Sequence, residues 1–204
     1  MALPNPPLLI ISDRSQARRP LTEIAGAAFE AGCRWFSLRE KDLPAAERLA
    51  LLAELVAAGR AYGAAVMAHD DLEAVIATGA SGIHLPSGGD PRAARARLPR
   101  GLLGVSAHTS GEAAALIAAG ADYVTISPIF LTDSKPGYGP ALGLAGLADA
   151  VAAAKGPVVA LAGIHAGNVR ACLDAGAAGV AVMGEVMRAT DTEATVSALI
   201  EVLR

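Results

Sequence analysis

A short sequence pattern that recurs four times constrains the fold of this chain more than any other feature. Each copy is a small residue and a glycine, two or three small or polar residues, and an apolar run: 31-AGCRWFSL-38, 78-TGASGIHL-85, 119-AGADYVTI-126 and 175-AGAAGVAV-182. Because helices commonly end on a glycine in the left-handed conformation, each copy predicts a helix end followed at once by a buried strand. The intervals between the copies are too long for one strand–helix unit and suit two.

Further apolar runs lie between the repeats and complete a set of eight predicted strands. They are 8-LLIIS-12, 65-AVMA-68, 102-LLGVSA-107 and 157-PVVALAG-163. Continuous apolar runs of this length are typical of a parallel sheet that is covered on both faces. The stretches between them have a helical period, as in residues 44–63, where one apolar stripe is expected to contain Leu49, Leu52, Leu55 and Val56.

This arrangement predicts an α/β fold, a (β/α)8 TIM barrel that forms a single domain over residues 1–204. The alternative is an open, doubly wound sheet. Fourfold self-similarity favours the barrel, since closure removes the exposed edges of the sheet. The first strand is not followed by the Gly-x-Gly-x-x-Gly fingerprint that dinucleotide-binding open sheets carry.

Composition argues against several classes of function. A hydrophobic fraction of 53% with 18% charged residues excludes global disorder. A net charge of −3 argues against nucleic acid as a partner, because phosphate backbones require a basic surface. No apolar run is long enough to span a membrane. Cys33 and Cys172 form neither a disulfide framework nor a metal cluster, so we expect a cytoplasmic protein, and the sequence leaves a homo-oligomer open.

Polar side chains follow the predicted strands at the ends where such barrels carry their active sites. Arg39, Lys41 and Lys135 have the charge to hold a phosphate or diphosphate. Asp70 and Asp90 suit Mg²⁺, a hard ion that prefers one or two carboxylates together with substrate phosphate oxygens. Singly, each of these residues is more simply read as a solvated loop charge, but together they indicate a site.

Two glycine turns and one long loop extend this prediction. Gly163 and Gly184 follow the seventh and eighth strands, where barrels of this class commonly bind phosphate through backbone amides; the alternative is a plain turn. The Gly- and Pro-rich stretch 127–143 is either a lid that carries Ser134 and Lys135 over the substrate or an ordinary surface loop.

The histidines divide into two groups. His84 ends a strand within an apolar run, so we expect it to be a packed, hydrogen-bonded core residue. His69 and His108 end the third and fifth strands, and from there either could reach a substrate.

At these motifs the chain resembles the thiamine phosphate synthase and thiazole tautomerase superfamily over nearly its whole length, and the synthases more closely. The resemblance rests on 38-LREK-41, 82-GIHL-85, 104-GVSAHT-109, 121-ADYVTISPIF-130 with Thr132, Ser134 and Lys135 after it, and 161-LAGI-164. It implies a transferase that joins hydroxymethylpyrimidine diphosphate to a thiazole phosphate and releases pyrophosphate, with Mg²⁺ as cofactor. In such synthases the diphosphate departs first, and the thiazole nitrogen traps the resulting pyrimidine-methyl cation.

The resemblance also implies roles for individual residues. Lys135 and Ser106 would be catalytic, with Ser106 on the pyrimidine side and Lys135 on the diphosphate beside Arg39 and Lys41. Asp70 would bind Mg²⁺, with Asp90 as its partner. The remaining substrate contacts would come from His69, Thr132, Ser134, Gly163, Met183 and Gly184.

Departures from the synthase pattern leave other functions open. After the third strand the synthases usually read Asn-Asp-Arg, whereas this chain has His69-Asp70-Asp71; the aspartate of 86-PSGGD-90 falls one residue late, and Gly184 replaces a serine. The run 85-LPSG-88 resembles the tautomerase branch, whose catalytic histidine would fall at Pro128. The alternatives are therefore a thiazole tautomerase-like isomerase with His69 or His108 as acid–base group, and a non-catalytic binder of the same phosphates.

Overall fold

The computed structural model describes residues 1–132 and 139–204. Its strands form a closed barrel in which each strand pairs in parallel with its neighbours in sequence, and β8 pairs with β1. The strands are β1 (Leu8–Ile11), β2 (Trp35–Leu38), β3 (Ala65–His69), β4 (Gly82–Leu85), β5 (Leu102–Ala107), β6 (Tyr123–Ile126), β7 (Val158–Leu161) and β8 (Gly179–Val182). The predicted (β/α)8 barrel is confirmed, and the open sheet is excluded.

Helices connect the strands and cover the outside of the barrel. Those in the described residues are α1 (Leu21–Glu30), α2 (Ala45–Ala61), α3 (Leu72–Thr78), α4 (Pro91–Arg97), α5 (Ser110–Ala118), α6 (Gly143–Ala154), α7 (Ala166–Asp174), α8 (Gly184–Met187) and α9 (Thr192–Leu203). The last helix, α9, packs against both α1 and α7 and so closes the outer ring. Within this part of the chain, none of the helices has the length and apolar character that crossing a membrane requires.

The four repeated glycines adopt the conformation that the repeat predicts. Gly32, Gly79, Gly120 and Gly176 have φ angles of 101°, 67°, 104° and 95°. Residues with a side chain rarely adopt such angles, so glycine at these positions lets the chain leave a helix and enter a strand within a few residues.

Helix α2 corrects one detail of the predicted stripe. Leu52 and Leu55 are fully buried, whereas Leu49 is 38% exposed, so its assignment to the buried stripe was wrong. The helix approaches β3 closely at Gly59, where a Cβ would lie 2.7 Å from Val66 Cγ2. The buried face therefore centres on Leu52, Leu55 and Gly59, and Leu49 lies at its edge.

The barrel interior is a separate, small apolar cluster. Its buried members are Leu9, Ile11, Trp35, Met67, Leu102, Tyr123, Val159 and Ala181. Successive residues of a strand face opposite sides, so the residue two positions after each member faces the same interior, nearer the carboxyl end of the strand. By this rule Ser37, His69 and Thr125 lie above Trp35, Met67 and Tyr123, and polar side chains cover an apolar floor at the barrel mouth.

Candidate functional site at the barrel mouth

His84 is the centre of the polar layer at the mouth. It is 2% exposed; its Nδ1 lies 2.9 Å from the Tyr123 hydroxyl and its Nε2 lies 3.0 Å from Ser106 Oγ. The ring of His69 stacks on it with a centroid distance of 5.2 Å. Burial, followed by the positive charge of Arg39, lowers the pKa of His84 to about 3, so its imidazole is neutral at physiological pH. The prediction of a hydrogen-bonded core histidine is confirmed.

Arg39 is held at the mouth by its backbone. Its N–H donates to Ser12 Oγ at 2.8 Å, and that hydroxyl donates to Glu40 Oε1 at 2.6 Å. Glu40 is 3% exposed and also accepts hydrogen bonds from the Arg14 N–H. Glu40 therefore anchors the loop after β2 to the loop after β1, a structural role that its place in the polar motif did not reveal. Lys41, two residues after Arg39, is exposed.

Gln16, in the loop after β1, links that loop to Met183, which directly follows β8. The Gln16 amide donates to Asp13 Oδ2 at 2.5 Å and to Met183 Sδ at 3.7 Å. Burial raises the pKa of Asp13, but hydrogen bonds from Ser15 and Gln16 and the Arg39 charge outweigh it, and the net pKa is lowered. Gln16 thus joins the ends of β1 and β8 at the mouth, and no pattern in the sequence had singled it out.

The two predicted metal ligands occupy different local structures. Asp70 is exposed, directly follows β3, has a φ of 56° and donates its backbone N–H to the His84 carbonyl at 3.0 Å. Asp90 caps α4, with Oδ1 accepting from the N–H groups of Arg92 and Ala93 at 2.8 and 3.3 Å. Oδ2 of Asp90 is not used in this cap. In residues 1–132 and 139–204, no group of three or more His, Cys, Asp and Glu side chains is arranged to hold a metal ion.

The carboxylate of Asp71 is held by groups on helices α3 and α2. Oδ1 of Asp71 caps α3 through the Ala74 N–H at 3.0 Å, while Oδ2 pairs with Arg48 of α2, whose Nε and Nη2 both lie 2.8 Å away. The same guanidinium donates from Nη1 to the Leu43 carbonyl at 2.9 Å. The extra acid that departs from the synthase pattern is therefore neutralised, by an arginine that the sequence motifs did not identify.

The turn after β7 requires glycine for a close approach. Gly163 has a φ of 66°, and a Cβ there would lie 2.6 Å from the Leu131 carbonyl oxygen and 2.7 Å from Phe130 Cβ. Asn168 of α7 holds the turn by donating its side-chain amide to the Gly163 carbonyl at 2.8 Å. The turn is thereby fixed against the segment that leads to Thr132, which is half-buried. Ser134 and Lys135 lie outside the described residues.

Three further groups complete the mouth. Gly184 is buried and begins α8 directly after Met183. His108 Nδ1 lies 2.9 Å from the Ser127 carbonyl oxygen, so this nitrogen carries the proton that the contact needs. Ser37 Oγ is buried and has no hydrogen-bond partner among the described residues. A lone serine in an apolar strand gave no signal from which this hydroxyl could be predicted.

The barrel thus brings Arg39, His69, Ser106, Gly163 and Gly184 to one rim, each at the carboxyl end of its own strand. This rim combines a guanidinium, an imidazole, a hydroxyl group and two glycine turns. Such a set is suited to binding an anionic, aromatic ligand.

Comparison with known proteins places this geometry beside one group of enzymes. A family model described as thiamine monophosphate synthase matches residues 8–186. A putative thiamine-phosphate synthase of Geobacter sulfurreducens is 40% identical over 199 residues, which cover 96% of this chain and 93% of the relative. A thiamine-phosphate synthase of a Roseiflexus species is 37% identical, with 93% and 82% covered. The solved thiamine phosphate pyrophosphorylase from Pyrococcus furiosus superposes with a TM-score of 0.87 at 30% identity, covering 96% of this chain and 94% of that chain.

Proposed function

The chain belongs to the thiamine monophosphate synthase family and is a transferase of the thiamine-phosphate synthase type, and we propose that its barrel mouth joins hydroxymethylpyrimidine diphosphate to a thiazole phosphate. The observation that carries the proposal is the common rim, to which the closed barrel brings Arg39, Ser106 and Gly163 from three separate strands. The relatives do not favour the isomerase or the non-catalytic binder.

The reaction requires one bond to break and one to form. The bond between the pyrimidine methylene carbon and the diphosphate oxygen breaks, and its electron pair leaves with pyrophosphate. The lone pair of the thiazole nitrogen then forms the new carbon–nitrogen bond, and no proton has to pass between the substrates. Because its pKa is lowered to about 3, the buried imidazole of His84 is a weak base. The reaction is compatible with such a mouth, since the reaction does not require a general base.

Charge stabilisation falls to the cations of the rim. Negative charge develops on the departing diphosphate, and a positioned guanidinium stabilises it more effectively at a partly desolvated site than in water. Arg39 fits this role because the Ser12 hydroxyl and the buried Glu40 fix its backbone. Lys41 and Lys135 are assigned to the same diphosphate by the resemblance to the family.

We assign a magnesium ion to Asp70 after β3, with Asp90 after β4 as its partner. Asp70 makes no hydrogen bond or ion pair through its carboxylate with the described residues, and Asp90 keeps Oδ2 beyond its cap. Two carboxylates that rely on substrate oxygens to complete the shell are the donor set that Mg²⁺ prefers. Mg²⁺ bound there would neutralise charge on the diphosphate. We assign the thiazole phosphate to the backbone at Gly163 and Gly184 together with Thr132.

Some expectations from the sequence stay predictions. They are the cytoplasmic location, the homo-oligomer and the absence of nucleic-acid partners.

A coupled assay tests the proposed function. Purified protein is incubated with hydroxymethylpyrimidine diphosphate, thiazole phosphate and Mg²⁺, and pyrophosphate release is measured with each substrate omitted in turn. We expect release that depends on both substrates and on the metal. Absence of release at high enzyme concentration would reject the proposal.

Matched variants locate the metal requirement. Asp70→Asn is expected to raise the Mg²⁺ concentration needed for half-maximal activity at least about tenfold, since a charged metal ligand is lost. Asp174→Asn removes an exposed carboxylate whose one ion pair within residues 1–132 and 139–204 is with Arg170 on the same helix, and it should leave the metal dependence unchanged. Equal metal dependence in both variants would contradict the assignment of Asp70.

A further inference from the structure

The direction of the hydrogen bonds around His84 can be deduced from the groups that surround it. The ring bridges two hydroxyls, with Tyr123 at 2.9 Å from Nδ1 and Ser106 at 3.0 Å from Nε2. A neutral imidazole carries one proton, so one of these contacts has the ring as donor and the other has it as acceptor. The question is which nitrogen carries the proton.

Tyr123 decides this question because its hydroxyl has few options. The side chain is fully buried, so its O–H proton needs an acceptor inside the protein. Apart from His84 Nδ1, its hydroxyl reaches only Met67 Sδ among the described residues, at 3.8 Å. A thioether is a weak acceptor, and this sulfur already receives the Trp35 indole N–H at 3.0 Å. The phenol therefore donates to Nδ1 of His84.

It follows that Nε2 carries the proton and donates to Ser106. Thr125 Oγ1 lies farther from Nε2, at 3.4 Å, so Ser106 is the better acceptor. Ser106 Oγ then uses a lone pair on His84 and keeps its own O–H for another partner. Among the described residues Ser106 has no second hydrogen bond, and its side chain is only partly buried at the mouth.

We propose that Tyr123 and His84 are positioning residues that fix Ser106 as a hydrogen-bond donor toward an acceptor atom of the bound pyrimidine substrate. This inference rests on the proposed function, because it takes the mouth as the substrate site. The contact of Ser106 with the pyrimidine side is what the family resemblance implies. The inference adds that Tyr123, acting only through the ring of His84, fixes the direction of the Ser106 hydroxyl.

The geometry also excludes a different role for the same pair. A serine 3.0 Å from a histidine resembles the base-activated nucleophile of hydrolases. In that arrangement the nitrogen facing the serine is unprotonated and the other nitrogen donates to an orienting group. Here the nitrogen facing Ser106 is the protonated one and the other accepts from a phenol. Burial of His84 also disfavours the imidazolium that a base would become.

Nitrogen NMR of the histidine rings tests the proton placement without any turnover. Protonated and unprotonated ring nitrogens of a neutral imidazole have well-separated chemical shifts, and a His84→Gln variant, or Tyr123→Phe if that variant does not fold, assigns the signals. We expect the nitrogen that contacts Tyr123 to be unprotonated and the nitrogen that contacts Ser106 to be protonated. The opposite placement, or a mixture of both, would overturn the inference.

Titration calorimetry with hydroxymethylpyrimidine diphosphate tests the contact with substrate. Ser106→Ala should weaken binding roughly ten- to hundredfold, as expected for the loss of a hydrogen bond to a strongly polar acceptor. Ser106→Thr keeps the hydroxyl and should recover most of the affinity. Tyr123→Phe should weaken binding less than Ser106→Ala and should change the histidine nitrogen spectrum. Wild-type affinity in Ser106→Ala would overturn the proposed contact.

These measurements separate the inference from the proposed function. If the wild-type protein releases no pyrophosphate in the coupled assay, the proposed function fails, while the NMR pattern and the calorimetry still decide the role of Ser106. If the protein is active and the proton lies on Nδ1, the inference alone fails.

Discussion

The guanidinium of Arg48 binds Asp71 and thereby joins the loop after β2 to the loop after β3 at the barrel mouth. Nε and Nη2 of Arg48 each lie 2.8 Å from Asp71 Oδ2, and Nη1 donates to the Leu43 carbonyl at 2.9 Å. Leu43 belongs to the loop that carries Arg39 and Lys41, while Asp71 follows Asp70 directly. The positions of the proposed diphosphate and metal ligands are therefore coupled by a residue on the outside of the barrel.

Replacement of Arg48 should loosen both loops together. Arg48→Ala leaves a largely buried carboxylate with only its helix cap, and we expect the free energy of unfolding to fall by about 2 kcal/mol. Because the loops carry substrate ligands, KM for the pyrimidine diphosphate should rise more than kcat falls. The control is Arg97→Ala, which breaks an exposed pair with Glu73 and should lower the free energy of unfolding far less than Arg48→Ala does. Urea unfolding and steady-state kinetics measure both effects; similar values for the two variants would contradict the coupling.

Gly104 makes room for the hydroxyl that orients His84. A Cβ at Gly104 would lie 2.5 Å from Tyr123 Cε1 and closer still to the end of the ring. We expect Gly104→Ala to displace Tyr123 and to lower the free energy of unfolding by about 3 kcal/mol, at the upper end of the range for overpacked cores. Gly111→Ala is the matched control, since the added methyl group meets no described atom within 4 Å beyond its chain neighbours and its own helix backbone. In helix α5 it should raise the free energy of unfolding by about 0.5 kcal/mol. Equal effects in thermal unfolding would show that Gly104 is not required for packing.

The sequence was sufficient to predict the barrel because its signals are local. A helix-ending glycine followed by an apolar run can be recognised from neighbouring residues alone. The four repeats therefore predicted four helix–strand junctions correctly. Leu49 was misassigned because its burial depends on where α2 touches the barrel, and the close approach at Gly59 lies near the other end of the helix.

The candidate site was only partly predictable, because local patterns do not reveal contacts between residues that are distant in the sequence. Strand ends identified Arg39, Asp70 and Ser106 as rim residues, since closure of the barrel determines their place. The partners of those residues could not be read from the sequence: Glu40 stood in the predicted motif as a further charge, yet it is a buried anchor. Arg48 lies in a helix where a charge ordinarily means a solvated face, and its role appears only once Asp71 is found opposite it.

Asp122 at the amino end of β6 should stabilise the fold without affecting the mouth. Its carboxylate accepts hydrogen bonds from the Met1 ammonium at 2.8 Å, the Leu103 N–H at 2.8 Å and Arg95 Nη2 at 2.6 Å. Burial raises the pKa of Asp122, but these donors outweigh it, and the net pKa lies below the ordinary 3.8. The stabilisation is therefore present above about pH 3.8 and is lost as the pH falls through the lowered pKa.

Asp122→Asn should accordingly lower the free energy of unfolding by about 2 kcal/mol at neutral pH and leave KM unchanged. The difference from the wild-type protein should shrink when urea unfolding is repeated at progressively lower pH below 3.8. A difference that stays constant down to the lowest accessible pH would mean that the charge of Asp122 is not what the three donors recognise.

Glu40 should show the opposite pH dependence. Burial raises the pKa of Glu40, hydrogen bonds from Ser12 and the Arg14 N–H lower it, and the charges of Asp13 and Asp42 raise it, with a net pKa above the ordinary 4.5. Between 4.5 and the raised pKa the folded protein holds a proton that the unfolded chain has released, so the free energy of unfolding falls as the pH rises through this window. Glu40→Gln does not titrate, and its stability relative to the wild-type protein should therefore increase through the window and then level off.

Ser12→Ala removes a hydrogen bond that favours the charged form, so it should raise the pKa of Glu40 further and enlarge the fall in the free energy of unfolding with pH. Urea unfolding of the three proteins at a series of pH values from about 4 to 7 measures both trends, and a Glu40→Gln difference that decreases with pH would show that Glu40 is stabilised as a carboxylate.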